Sequence, residues 1–293
     1  MIKVRVPGTS ANLGPGFDTL GLALSIYSTF YFEQIESGVK ISGCHDKFCN
    51  EENLVYASFK RTLKILGKEV KGVAIKIDSE IPVSRGLGSS SACIVAGVVG
   101  AYELTGTSID LEEIFTIATE IEGHPDNVSP AIFGGLTSSL TVDDKSYYVK
   151  YNIDDRFYFM GLIPNFETST TDAREILPKD LPFEDVIYST SRLGVVLKAF
   201  ENYDKKLLKI AMDDRIHEPY RKKIIHEFHK VKRICQEIDS ICFFISGSGS
   251  TLMNIIDDIN NMEKIQKKLK ELDYNWDMKL LKVDKEGLKI FRD

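Results

Sequence analysis

The chain has 293 residues, 43% of them hydrophobic and 27% charged, with a formal net charge of −6 at pH 7. This is the composition of a soluble globular protein with a substantial core in one large or two medium domains, and its acidic balance excludes an electrostatic nucleic-acid surface. The longest apolar run, residues 92–99, is far short of the ~20 residues that cross a bilayer.

The chain opens with Met1-Ile2-Lys3-Val4-Arg5-Val6, which alternates as a strand does and lacks the apolar core of a signal peptide. Five scattered cysteines, an odd number, fit a reduced cytosol. Residues 2–6 are therefore read as a strand and 7–18 as a loop. Residues 22–36, rich in aromatic and β-branched side chains, form a long strand partnered by 39–42. Apolar spacing at Leu54, Val55, Phe59, Leu63 and Leu66 predicts a helix over 53–66. A strand over 73–77, helices over 90–104 and 111–122 and a hairpin of 133–142 with 147–151 follow.

After about Asp154 the pattern restarts. It gives a strand over 157–163, a short helix over 171–177 and longer helices over 183–200 and 220–238. Strands over 241–245 and 251–256 flank a glycine turn, and a helix over 259–272 precedes a last strand over 279–283. No internal repeat or long linker interrupts this order, so two intimately packed α+β domains, 1–154 and 155–293, are expected.

Four segments carry chemistry. Pro7-Gly8-Thr9-Ser10-Ala11-Asn12-Leu13-Gly14-Pro15-Gly16-Phe17-Asp18 offers an amide and a carboxylate from an open backbone. Pro82-Val83-Ser84-Arg85-Gly86-Leu87-Gly88-Ser89-Ser90-Ser91-Ala92 runs into an apolar helix. Its glycines can turn N–H groups toward one point, and the helix adds the positive end of its dipole. Serine hydroxyls there can donate to phosphate or ligate magnesium. The loop is neither a Walker motif nor a dinucleotide fingerprint. Glu120-Ile121-Glu122-Gly123-His124-Pro125-Asp126-Asn127 ends a helix with two acids, which oppose its dipole and so invite a metal or substrate role. Ile245-Ser246-Gly247-Ser248-Gly249-Ser250-Thr251 is a hairpin turn whose N–H groups could meet an anion.

Other candidates carry less. Cys44-His45-Asp46-Lys47-Phe48-Cys49 has metal-type ligands but no answering pair elsewhere, and reads as a polar loop. His226 and His229 and the run Arg221-Lys222-Lys223 read as exposed helix faces. Val73-Ala74-Ile75-Lys76 resembles the strand lysine of protein kinases, but it precedes the glycine loop, and neither His-Arg-Asp nor Asp-Phe-Gly occurs.

Together, the order and content of the four segments resemble the GHMP kinase superfamily, and within it the homoserine kinase family. They stand beside its PATSANLGPGFD, PVxxGLGSSAA, EGHPDNVxPAxxGG and ISGSGPT motifs. Gly8 and Ser91 stand where alanines are usual, and Ser250 where a proline is. The resemblance implies an N-terminal ribosomal-protein-like β/α domain and a C-terminal ferredoxin-like domain. It implies transfer of the ATP γ-phosphoryl group to the side-chain hydroxyl of L-homoserine by a cytoplasmic homodimer.

By the same resemblance, the amides of 86–91 hold the triphosphate, within a nucleotide site made of Pro82 to Ala92. Ser90 and Glu122 ligate Mg2+, with Glu120 as the rival acid, and Asn53 lies on the adenine side. The substrate set is Asn12, Asp18, His124, Asn127, Thr171, Arg174 and Arg221. Asp18 would pair with an ammonium group and the arginines with a carboxylate. Catalysis would rest on Ser90, Glu122, Asn127 and Arg174. Asn127 stands where many superfamily members place an aspartate base, and an amide cannot take a proton at neutral pH. A small-alcohol kinase of the mevalonate type and a nucleotide-binding sensor without catalysis are the alternatives.

Overall fold

The structure, a computed structural model, describes residues 1–292. The chain runs β1 (Ile2–Ala11), β2 (Leu20–Gln34), β3 (Gly38–Ser42), α1 (Leu54–Leu66), β4 (Gly72–Ser79), α2 (Ser89–Thr105), α3 (Leu111–Glu122), α4 (Val128–Phe133), β5 (Leu136–Val142) and β6 (Lys145–Tyr151). It continues through β7 (Tyr158–Pro164), α5 (Thr170–Glu175), α6 (Phe183–Glu201), α7 (Lys205–Ala211), α8 (Glu218–Arg221), α9 (Phe228–Ile238), β8 (Cys242–Ile245), β9 (Leu252–Ile256), α10 (Met262–Leu269), β10 (Trp276–Leu281) and β11 (Lys289–Arg292).

Among the described residues the strands form two sheets. The first has seven strands in the order β11-β1-β2-β4-β3, with the β5–β6 hairpin joined to the start of β2. The second has the order β10-β7-β9-β8, with every pairing antiparallel. Numbered within its own unit that order is 4-1-3-2, and the connections run β-α-β-β-α-β. This is the ferredoxin-like arrangement. The chain is α+β throughout.

The helices form where the sequence lets them. The Asn53 side chain accepts from the Val55 N–H at 3.0 Å and caps α1, which ends at Gly67 in the left-handed conformation. α2 is apolar on every face and lies buried between the first sheet and its fellow helices. A Cβ at Gly97 would strike the Val55 carbonyl oxygen, so glycine sets the close approach of α1 and α2. β7 feeds two clusters by the period-2 rule. Phe159 and Ile163 join the large core beneath both sheets, while Met160 and Leu162 join a second core with α9 and α10. The large core runs from Val4 and Phe30 to Phe244 and Ile255, so the two sheets share it.

Several sequence expectations need correction. The first strand does not stop at Val6 but continues to Ala11, because a register shift between Pro7 and Gly8 absorbs the proline and restores pairing with β2. Residues 38–42 do not pair with the long strand. β4 takes that place, and β3 lies parallel to β4 on its far side. The helix expected over 220–238 is broken into α8 and α9 at Glu227, which is left-handed at φ 58°. Its carboxylate accepts from the Asp273 and Tyr274 N–H groups and from the Trp276 indole, contacts a continuous helix would not allow. The helix expected over 259–272 opens as a 3-10 turn and ends at Leu269, and the last strand of the second sheet ends at Leu281. α4, α7 and β11 were not foreseen. β11 returns to the first sheet and pairs with β1.

Candidate active site

The four chemistry-bearing segments meet at one end of the two sheets, around a cavity of about 630 Å³. Its walls include Asn12, Asp18, Asn53, Gly86, Ser90, Glu122, His124, Asn127, Arg174 and Arg221. No helix of the described residues is long and apolar enough to cross a membrane.

One end of the cavity is the start of α2. The N-cap is Gly88, left-handed at φ 71° and without a side chain to cap the first turn. A Cβ there would collide with the Thr9 hydroxyl, so the loop can lie against β1 only as glycine. The Ser90 and Ser91 hydroxyls do not cap the turn either. They donate to the two oxygens of Glu122 at 2.8 and 2.7 Å. The first-turn N–H groups of a buried 17-residue helix are thus left without a side-chain cap at the cavity wall, a ready anion site. The rival acid Glu120 turns the other way and pairs with Arg61 at 2.5 Å on the surface. Ser90, Ser91 and Glu122 present only hard oxygen donors, the kind magnesium prefers, so this donor set fits the metal that the resemblance implies.

The other end is charged. Arg174 grips Asp18 with two bonds, Nη1 to Oδ2 at 3.0 Å and Nη2 to Oδ1 at 2.8 Å. Arg221, placed by the sequence on a solvated face, is 2% exposed. Its Nε donates to the Ala173 carbonyl at 3.1 Å and its Nη1 to the Gly247 carbonyl at 3.0 Å. Burial, and then the nearby Arg174 charge, lower its pKa to about 10, which still leaves it a cation at neutral pH. Its partners are neutral carbonyls, so its charge is free to meet an anion. The Asn12 side chain ties this end together: its amide donates to the Gly247 carbonyl at 2.9 Å and its oxygen accepts from the Asp18 N–H at 3.0 Å.

Between the two ends lie His124, Asp126 and Asn127. His124 Nδ1 sits 2.5 Å from the buried Asp126 carboxylate. Burial opposes protonation of His124, but the Asp126 hydrogen bond and charge outweigh it and raise its pKa. The Asn127 carbonyl oxygen accepts from the Thr9 hydroxyl at 2.7 Å, which turns that face of the amide away from proton chemistry.

Not every expected residue faces the cavity. Leu87 and Ala92 are core residues, and Ser91 is buried behind Ser90. Thr171 is exposed and stands outside the lining, whereas Thr170 is part of it. Ser169 caps α5, which puts Thr170 and Arg174 at i and i+4 on one face. Asn53 lines the cavity, but its amide is engaged locally, donating to the Phe48 carbonyl at 2.8 Å. The turn 245–251 is a brace as much as a binding loop. Ser246 Oγ donates to the Gly86 carbonyl at 2.6 Å and shares a hydroxyl–hydroxyl bond of 2.7 Å with Ser10 Oγ. Cys44 lines the cavity, and its thiol lies 3.5 Å from Cys49. Sequence reasoning missed Thr9, Asp126 and Phe17. The last carries both guanidiniums over its ring, Arg221 at 5.0 Å and Arg174 at 5.9 Å. All three sit inside the recognised motifs, which was the available signal.

The family of GHMP kinases, N terminal domain, matches residues 53–135. A homoserine kinase of Clostridium botulinum (strain Langeland) is 43% identical over 98% of this chain and 97% of its own length. The chain belongs to the homoserine kinase family. Another member, from Clostridium beijerinckii, is 43% identical over 99% of this chain and 98% of its own. The crystal structure of homoserine kinase from Cytophaga hutchinsonii superposes with a TM-score of 0.86 at 29% identity, covering 99% of this chain and 97% of that one. The mevalonate kinase of L. major, solved with R-mevalonate, superposes with a TM-score of 0.75 at 16% identity over 97% of this chain and 96% of its own, and shows the shared fold alone. As a homoserine kinase family member, the chain is an ATP-dependent kinase that acts on an alcohol.

Proposed function

We propose that the protein phosphorylates the side-chain hydroxyl of L-homoserine with ATP, giving O-phospho-L-homoserine and ADP. The observation that carries this reading is the charge layout of one cavity. Asp18, Arg174 and the buried Arg221 stand at one end, and the uncapped start of α2 stands at the other. A zwitterion with a free hydroxyl satisfies both ends. Its carboxylate meets Arg221 and Arg174, its ammonium group replaces part of the Arg174 contact to Asp18, and its hydroxyl is directed toward the phosphates.

The residues then act by position and charge. The 86–91 amides receive the triphosphate. Ser90 and Glu122 would hold Mg2+, which when bound neutralises charge on the phosphates. The homoserine oxygen forms the new P–O bond as the bond from the γ-phosphorus to the bridging oxygen of ADP breaks, and the hydroxyl proton passes to solvent or phosphate. Asn127 orients and does not accept that proton, in keeping with phosphoryl transfer that depends on placement. Asn53 flanks the adenine side, and Thr170 is preferred to Thr171 as the α5 contact. We place the domain boundary at residue 154, with β11 crossing back to the first sheet, and a homodimer in the reduced cytosol. Family resemblance supports the dimer, as do the apolar residues Phe183, Ile187 and Ile210 exposed on α6 and α7.

A coupled assay of ADP formation with L-homoserine and mevalonate at equal concentration tests the activity. Homoserine should be the faster substrate, because mevalonate has no ammonium group for Asp18. Faster turnover of mevalonate would overturn the assignment, and no turnover of either would favour a non-catalytic nucleotide sensor.

A further inference from the structure

The segment Asp214-Arg215-Ile216-His217-Glu218-Pro219-Tyr220-Arg221 contains a buried imidazole that the reaction as described does not use. His217 is fully buried, four residues before Arg221. Asp214 fixes its backbone, accepting from the Ile216, His217 and Glu218 N–H groups at 3.0, 2.8 and 2.9 Å. The ring stacks on Phe17, with centroids 5.2 Å apart and 24° between planes. Nε2 is 2.9 Å from the Gly14 carbonyl oxygen, which can only accept, so Nε2 carries the proton. Nδ1 is then a lone-pair acceptor, and it lies 3.5 Å from Arg221 Nη1. Burial lowers the His217 pKa to about 4, which keeps the ring neutral and the acceptor available.

We infer that His217 is a positioning residue for amino-acid recognition. It holds Arg221 through Nδ1 and the 12–18 turn through Gly14, so both halves of the zwitterion site are registered by one neutral ring. Phe17 supplies the common surface, carrying His217 as well as both guanidiniums. A protonated ring would present a second cation to Arg221, and a leucine would present nothing. This inference rests on the homoserine reading above.

The test is steady-state kinetics of His217→Leu, His217→Asn and His217→Gln beside wild type, with KM for homoserine and for ATP measured separately. His217→Leu should raise KM for homoserine by about tenfold or more and leave KM for ATP within about twofold. Asparagine can return the acceptor toward Arg221, and glutamine the donor toward Gly14. Recovery of at least about threefold in homoserine KM by either amide variant supports the positioning role. Parallel rises in both KM values, unchanged homoserine KM, or recovery by neither amide overturns it and leaves His217 a packing residue. Circular dichroism of each variant identifies misfolding as the cause of parallel rises. Wild-type protein that does not phosphorylate homoserine fails the activity reading, and homoserine affinity of the same variants by calorimetry then decides the His217 inference separately.

Discussion

At the scale of single residues, two side chains give sharp expectations. Glu122 ends α3, where a negative charge opposes the dipole, and it holds both Ser90 and Ser91. Replacing it with glutamine keeps its shape but removes its charge. Turnover at saturating ATP should fall by about a hundredfold, while Glu120→Gln, on the exposed Arg61 pair, should change it less than about twofold. The reverse order would move the acid role to Glu120. The second residue is His124, whose pKa lies above its ordinary value of 6.5 because Asp126 outweighs burial. A raised folded-state pKa stabilises the fold fully below the unfolded value, and that contribution is lost as pH rises through the folded value. The difference in Tm between wild type and His124→Gln should therefore be larger at about pH 5.5 than at about pH 9. An equal difference at both would mean that the histidine contributes no charge to the pair. Most of these residues were legible because they lie in motifs. The Asp18–Arg174 pairing was not, since 156 positions separate the two residues and only the fold brings them together.

At the scale of elements, the turn before α2 is decisive. Gly88 combines a left-handed φ of 71° with direct contact against Thr9, and Thr9 in turn orients Asn127. Gly88→Ala should therefore cost about 2 kcal/mol of stability and raise KM for ATP, as read by urea unfolding and kinetics. An alanine variant with native stability and native KM would mean that the loop relaxes without cost. Element reading succeeded where the apolar pattern was long and regular, as over α1 and α3, which the Asn53 and Asp110 side chains cap in the structure. It failed where a distant partner decided the outcome. β3 reads as a neighbour of β2 until β4 claims that edge. The helix pattern over 220–238 is sound in sequence, yet Glu227 is drawn out of it by three donors 46 to 49 residues away. Short pieces owe their form to distant partners, α4 to burial in the core and β11 to pairing with β1, and no local signal marks them.

At the scale of the whole molecule, the two sheets share one core, and the cavity draws its walls from both sides of residue 154. Ligand binding should therefore stabilise the chain as a unit, and thermal unfolding should show a single transition. A ligand at about 100 times its Kd adds roughly 2.7 kcal/mol, which for a chain of this size is a rise in Tm of about 4–5 °C. ATP with magnesium and L-homoserine should each raise the same transition. Arg174→Ala separates the two ends of the cavity. It leaves Asp18 without its partner and removes one cation from the carboxylate site, while the start of α2 and Glu122 are untouched. The variant should lose most of the homoserine shift and keep the ATP shift. A retained homoserine shift would remove Arg174 from the amino-acid site. Two separate transitions, with homoserine moving only one, would mean that the shared core does not couple the sheets and that the cavity closes by docking of independent domains.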